Sequence, residues 1–180
     1  MLVSMASNPF TDSANADILR QMDFNTILTT VFLSVLPISE LRGAIPFAVA
    51  RGMPMVTAFL LSVACNALVA PAAFLFLTTI HKLLYRWVAY ANVFDRFVER
   101  VRRKVSGSVE RYGYWGLLLF VAVPLPVTGA WTGAVGAWVL GMRKRKSALF
   151  IALGVLIAGV VVSVVVGLSV GALSFFLKRV

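Results

Sequence analysis

The chain has 180 residues, 60% of them hydrophobic and 13% charged, with a mean hydropathy of +0.90. Ordinary soluble domains are roughly 45–50% apolar, so this composition exceeds what a water-soluble fold of such size can bury. The formal charge of +10 is gathered in short segments, and the single cysteine, Cys65, excludes an intrachain disulfide.

Residues 1–23 hold Asp12, Asp17 and Asp23 among Ser, Asn and Pro9, without a basic start or a continuous apolar run. They read as a polar N-terminal tail, not as a signal or transit peptide. Residues 24–36 then form a short apolar helix that runs into Pro37, Ser39, Glu40, Arg42, Gly43 and Pro46. Proline removes an amide donor and clashes with the preceding turn. The segment 24–52 is therefore expected to be a broken hairpin, interrupted at Pro37, Gly43 and Pro46. A Gly52-Met53 pair leads into 54–81, an uninterrupted apolar helix longer than the ~20 residues that cross a bilayer core.

The connection 82–111 carries eight cations against Asp95, Glu99 and Glu110. In it Phe94, Phe97, Val98, Val101, Val105 and Val109 recur at three- and four-residue steps, while Arg96, Glu99, Arg100, Arg103 and Lys104 fall on other faces. That spacing predicts an amphipathic helix, which either lies on an anionic leaflet or caps the helical bundle. Ser106, Gly107 and Ser108 are expected to break it. A nucleic-acid surface is not indicated, because the basic clusters abut apolar spans and contain no recognition motif.

Residues 112–142 are uncharged, and as a straight helix would reach about 46 Å against a hydrocarbon core of roughly 30 Å. Pro124 and Pro126 interrupt them, followed by Gly129, Gly133 and Gly136. Arg143, Lys144, Arg145 and Lys146 follow, before a last apolar span at 147–177. The positive-inside bias places both basic connections in the cytoplasm. The stretch between them must then leave and return on one side, as a second re-entrant hairpin. Four simple crossings with kinks are the competing reading, and they break the charge rule. One span lies between the hairpins, so the second enters from the opposite face, as in the inverted repeats of secondary transporters. The expected fold is all-α: a polytopic helical membrane protein with two inverted repeats, each a re-entrant hairpin followed by a transmembrane helix, plus the amphipathic cytoplasmic helix.

Glu40 is the only carboxylate within the apolar spans, and Arg42 lies two positions on. Ionisable groups at membrane depth are costly enough to suggest function, here a proton or cation site. A structural ion pair bracing the broken backbone is the plainer alternative. Freed amides and carbonyls must find partners in an apolar medium, and Ser39, Thr128, Thr132 and Asn66 are the nearest polar side chains. Gly129 with Gly133, and Gly167 with Gly171, have the spacing of close helix contacts. Trp115 and Trp138, nearest Arg111 and Arg143, read as interfacial anchors, and Trp131 as an anchor or as hairpin packing. The run Gly167-Leu168-Ser169-Val170-Gly171 has the form of a nucleophile elbow, but it lies in an apolar helix far from His81, the one histidine. Neither an enzyme, a metal site nor a cofactor is expected.

The run Pro37-Ile38-Ser39-Glu40-Leu41-Arg42-Gly43-Ala44-Ile45-Pro46, the Gly52-Met53-Pro54 turn, and Pro124-Leu125-Pro126-Val127-Thr128-Gly129-Ala130-Trp131-Thr132-Gly133 together resemble the small multidrug export family of prokaryotes. The likeness covers roughly residues 24–177. That family in turn looks similar to the DedA and VTT membrane proteins, which are associated with proton-coupled transport and with lipid movement between leaflets. The resemblance implies paired re-entrant hairpins in a prokaryotic cytoplasmic membrane. DedA-like proteins carry further charged residues associated with function, whereas 112–142 here has none.

The sequence thus points to a small membrane transporter, exporting a lipophilic or cationic compound with ion coupling, or moving lipid between leaflets. A non-transporting structural or assembly module is the alternative. The partners expected are membrane lipids, a small lipophilic substrate and protons, with room for a homo-oligomer. Single cysteines placed in a Cys65→Ala background should report the topology: impermeant reagents are expected to label the termini from outside, and 82–111 and 143–146 only from the cytoplasm. Opposite labelling of the two basic clusters removes the second hairpin.

Overall fold

The computed structural model describes residues 24–123 and 128–177, which form helices joined by short turns, with no strand among the described residues. The expected tail at 1–23, Pro124 and Pro126 lie outside the described residues. Helices α1 (Phe24–Val35) and α2 (Glu40–Ala50) have 12 and 11 residues and pack against each other across a break at 36–39. At 1.5 Å per residue each is about 16–18 Å long, roughly half of a ~30 Å core.

Pro37 lies in this break, but Gly43 and Pro46 do not, contrary to the expectation from sequence. The helix resumes at Glu40 and runs through both. Gly43 packs closely on Ser39, whose hydroxyl would have to turn away from a Cβ there. Pro46 lacks the amide that would bond to the Arg42 carbonyl, yet α2 continues through it, packed against α1, α3 (Met55–Ala67) and α8 (Lys144–Leu177).

The two Gly-Met pairs close the same turn. Gly52 and Gly141 take φ of +85° and +66°, and the amides of Met53 and Met142 donate to the carbonyls of Ala48 and Ala137, both at 2.9 Å. Glycine adopts this left-handed conformation without the penalty of a Cβ, which ends a helix and satisfies its last carbonyls. Each pair feeds a long apolar helix. The first was expected to be uninterrupted but is divided into α3 and α4 (Val69–Thr78) at Leu68, because Pro71 has no amide for the Ala67 carbonyl. Met55–Thr78 and Lys144–Ala172 are long and apolar enough to cross a membrane, and only 39% and 33% of their most apolar windows are buried within the protein. A core helix of a soluble protein would be mostly covered.

Past α5 (Ile80–Leu84), helix α6 (Val88–Ala122) passes unbroken through Ser106, Gly107 and Ser108. It turns instead at Gly113, where φ is +57° and ψ −129°. Its apolar face is covered by protein: Val101, Val105 and Val109 are buried, and Val105 lies against Gly136 of α7 (Ala130–Val139). The first part of α6 therefore packs its apolar face on the protein. His81 is buried with its Nδ1 3.1 Å from the Tyr90 hydroxyl, its ring 4.2 Å from Phe94 and 5.5 Å from Trp138. The Tyr114 hydroxyl accepts from the Arg143 amide at 3.3 Å. These contacts bring both basic connections to the same end of the bundle.

Close helix contact occurs at other glycines than the expected pair Gly167 and Gly171. A Cβ on Gly154 would stand 2.8 Å from both the Leu118 carbonyl oxygen and Val121, whereas on Gly167 it would meet only Met55 Cε at 4.0 Å, and on Gly171 nothing within 4 Å. Gly154→Ala is accordingly expected to cost about 1–3 kcal/mol by overpacking against backbone that cannot yield. Gly167→Ala should be neutral or stabilise by up to ~1 kcal/mol through helix propensity. Unfolding of the two variants in one detergent measures the contrast.

Candidate functional site

The two broken segments meet, and each supplies what the other lacks. Glu40 opens α2 in the left-handed region at φ +48°, a conformation that costs a non-glycine residue about 1–3 kcal/mol. Its amide donates to the Leu36 carbonyl at 3.0 Å, and its side chain is buried, the residue being 7% exposed. From there Glu40 Oε1 accepts the Trp131 amide at 3.4 Å, with the Ala130 amide alongside. These are the first amides of α7, which have no partner within their own helix and sit at the positive end of its dipole. Gly129, the residue before α7, has no side chain with which to cap it. The Glu40 carboxylate does so from the other segment, close enough that a Cβ on residue 129 would force it to move.

Arg42 reaches the same segment. Its Nη2 donates to the Thr128 carbonyl and, at 2.9 Å, to Thr128 Oγ1, which in turn donates to the Val123 carbonyl at 2.9 Å. In the opposite direction, the Trp131 indole Nε1 donates to the carbonyl of Val35, the last residue of α1, at 2.7 Å. Thr132 is buried, its hydroxyl donating to the Gly129 carbonyl at 3.2 Å. Glu40 and Arg42 also attract each other as opposite charges. Ser39, the remaining candidate, packs against Gly43 and does not line the cavity at the site.

That cavity has a volume of about 420 Å³. Glu40, Arg42, Thr128 and Thr132 give it polar lining; Pro37, Ile38, Trp131 and Phe97 of α6 are its apolar walls. A second recess of about 380 Å³ lies between α2 and α8, lined by Val161, Val162, Val165, Val166, Pro46 and again Arg42. A larger recess, about 450 Å³, is an open groove of solvated charges on α6, where Glu99 and Arg103 pair at 3.1 Å, and it is not part of the site. Among the described residues no group of three His, Cys, Asp or Glu side chains is placed to hold a metal. Ser169 is helical and its hydroxyl donates to the Val165 carbonyl at 2.8 Å.

Sequence reasoning missed Phe97 as a member of the site, and it read Trp131 as an anchor or as hairpin packing without assigning it to the cavity. Trp131 falls in the first turn after the second break, where an indole N–H is the longest-reaching donor available. That position was the signal. Asn66 was named, and it is fully buried with its side chain interacting with the Glu40 carboxylate.

No curated protein and no solved structure matches the chain. A family match covers residues 40–161, from the acid at the first break through the second break and into α8. By that match over more than half its length, the chain belongs to the family described as "Putative small multi-drug export protein".

Proposed function

We propose that the protein exports a lipophilic compound across a prokaryotic cytoplasmic membrane, with Glu40 carrying the coupling proton. The observation that carries this reading is the seat of Glu40: one buried carboxylate from the first break caps the helix after the second, beside a 420 Å³ cavity that Arg42 shares. Family membership supports export in general terms.

In this reading the short helices α1–α2 and α6–α7 are re-entrant hairpins in inverted repeats, with both basic connections cytoplasmic. Their unequal halves meet near the midplane, the arrangement in which broken helices bind substrate and coupling ion. Ionised Glu40 holds α7 by its N-terminus and balances Arg42. Protonated, it is a weaker cap and no counter-ion, so the contact between the hairpins loosens. A proton can thus be exchanged for a change in which side the cavity faces. Arg42 belongs to both the cavity and the apolar recess on α8, which lets an amphiphile lie with its head at the arginine and its chain along Val161 and Val165. That recess favours a second reading, movement of a lipid between leaflets.

Purified protein in liposomes should move a fluorescent lipophilic cation or a fluorescent lipid, and a pH gradient should drive it. Glu40→Gln keeps the shape but cannot release a proton, so pH-driven movement is expected to disappear while the folded protein remains. If the pair only braces the fold, Glu40→Gln lowers the melting temperature and transport per folded molecule persists. Absence of movement of either probe by the unmodified protein favours a structural module.

A further inference from the structure

Helices α1 and α3 are built inside out. On α1 the buried residues are Thr26, Thr30 and Ser34, while Phe24, Leu28 and Phe32 are exposed. On α3 they are Ala58, Ser62 and Asn66, while Val56 and Leu60 are exposed. Each row repeats every four residues, so it forms one stripe of its helix, and the two helices pack together. Turning large apolar groups outward suits a hydrocarbon surround. Turning hydroxyls and an amide inward does not follow from it, because small apolar residues would pack as closely.

The polar groups of these two buried rows are only half satisfied. Thr30 and Ser34 donate to the carbonyls of Thr26 and Thr30 at 2.6 and 2.7 Å, which leaves each hydroxyl oxygen able to accept. Ser62 Oγ and Asn66 Oδ1 are buried without a hydrogen-bond partner, while the Asn66 side chain interacts with the Glu40 carboxylate. Leaving such groups unpaired is costly, and water making about three hydrogen bonds is the partner their chemistry calls for. Asn66 ends the row beside Glu40. The other end of the row lies where Ile27, Ala48, Met53 and Ala58 cluster, at the start of α1 and α3. From that end α3 and α4 run the length of a membrane span to the His81 contacts near the basic connections. The cavity at Glu40 is instead walled by Phe97 of the basic helix α6.

We propose that the seam between α1 and α3, ending at Asn66, is a water-bearing path by which protons reach Glu40 from the end of the bundle opposite the basic connections. It rests on the reading of Glu40 as the coupling site, and assigns Ser62 and Asn66 as positioning residues. Each water in the row accepts one proton and releases one to its neighbour. The last transfer converts the Glu40 carboxylate to the acid, and release into the cavity restores the carboxylate. Arg42 is the charged group beside Glu40 on α2. Cys65 is the titratable group on α3, and α1 and α7 bring none. Arg100 and Lys104 of α6 line the small recess that adjoins Phe97 and Thr132.

The test follows the Glu40 carboxyl infrared band, identified by its loss in Glu40→Gln, after a pH step on one face of oriented proteoliposomes. Ser62→Ala and Asn66→Leu are expected to slow the response to a step on the face away from the basic connections at least tenfold, and to leave the response from the basic face unchanged. Asn66→Gln, which restores an amide, should recover part of the rate. If Asn66→Leu does not fold, Ser62→Cys in a Cys65→Ala background gives a second readout: a small water-soluble thiol reagent should reach the introduced thiol from the far face only. Equal rates in all variants, with that thiol unreactive, overturn the path while leaving Glu40 as a proton site. A carboxyl band that responds to neither face overturns the reading of Glu40 as well.

Discussion

A helix interrupted within an apolar medium exposes amides and carbonyls that no solvent can satisfy, each at a cost of several kcal/mol. The structure of this protein follows from how two such interruptions are made to meet. The α7 amides at the second break are capped by Glu40 of the first. The Thr128 carbonyl takes the Arg42 guanidinium, and the Val35 carbonyl takes the Trp131 indole. Among the described residues, each break thus draws hydrogen bonds from the segment of the other.

This reciprocity explains features that look unfavourable one at a time. Left-handed backbone at Glu40 is a strain, but it aims the carboxylate across the bundle at the end of a helix dipole. A bare Gly129 gives α7 no cap of its own, yet any side chain there would displace the carboxylate. Because the group that joins the segments is also the one acid among them, its protonation and their contact are linked. That linkage is what makes a transport cycle physically reasonable in so small a chain.

Much of this was legible in the residues. Apolar runs, clustered cations and prolines pointed to an all-helical membrane fold, and Glu40 stood out as an acid where acids are expensive. Both Gly-Met turns were visible, because a left-handed helix end nearly requires glycine. The errors have physical causes. Gly43 and Pro46 looked like breakers by propensity, but α2 continues helical through them, packed against its neighbours. Gly113, not Ser106 to Ser108, turns α6, since one left-handed residue redirects a helix more sharply than three weak formers do. Gly154 makes the tight contact that Gly167 does not, because spacing alone does not say which face of a long helix meets a neighbour. The role of Trp131 depends on a partner 96 residues away, which no local pattern encodes.

The seat of the Glu40 carboxylate on α7 is tested most directly by a double-mutant cycle between residues 40 and 129, read from unfolding free energies in one detergent. Gly129→Ala should strongly destabilise the unmodified protein, because its methyl overlaps the carboxylate. In a Glu40→Ala background the same change has no carboxylate to overlap and should cost less, giving a coupling within the roughly 0.5–3 kcal/mol found for residues in contact. Additive effects of the two substitutions would contradict the account.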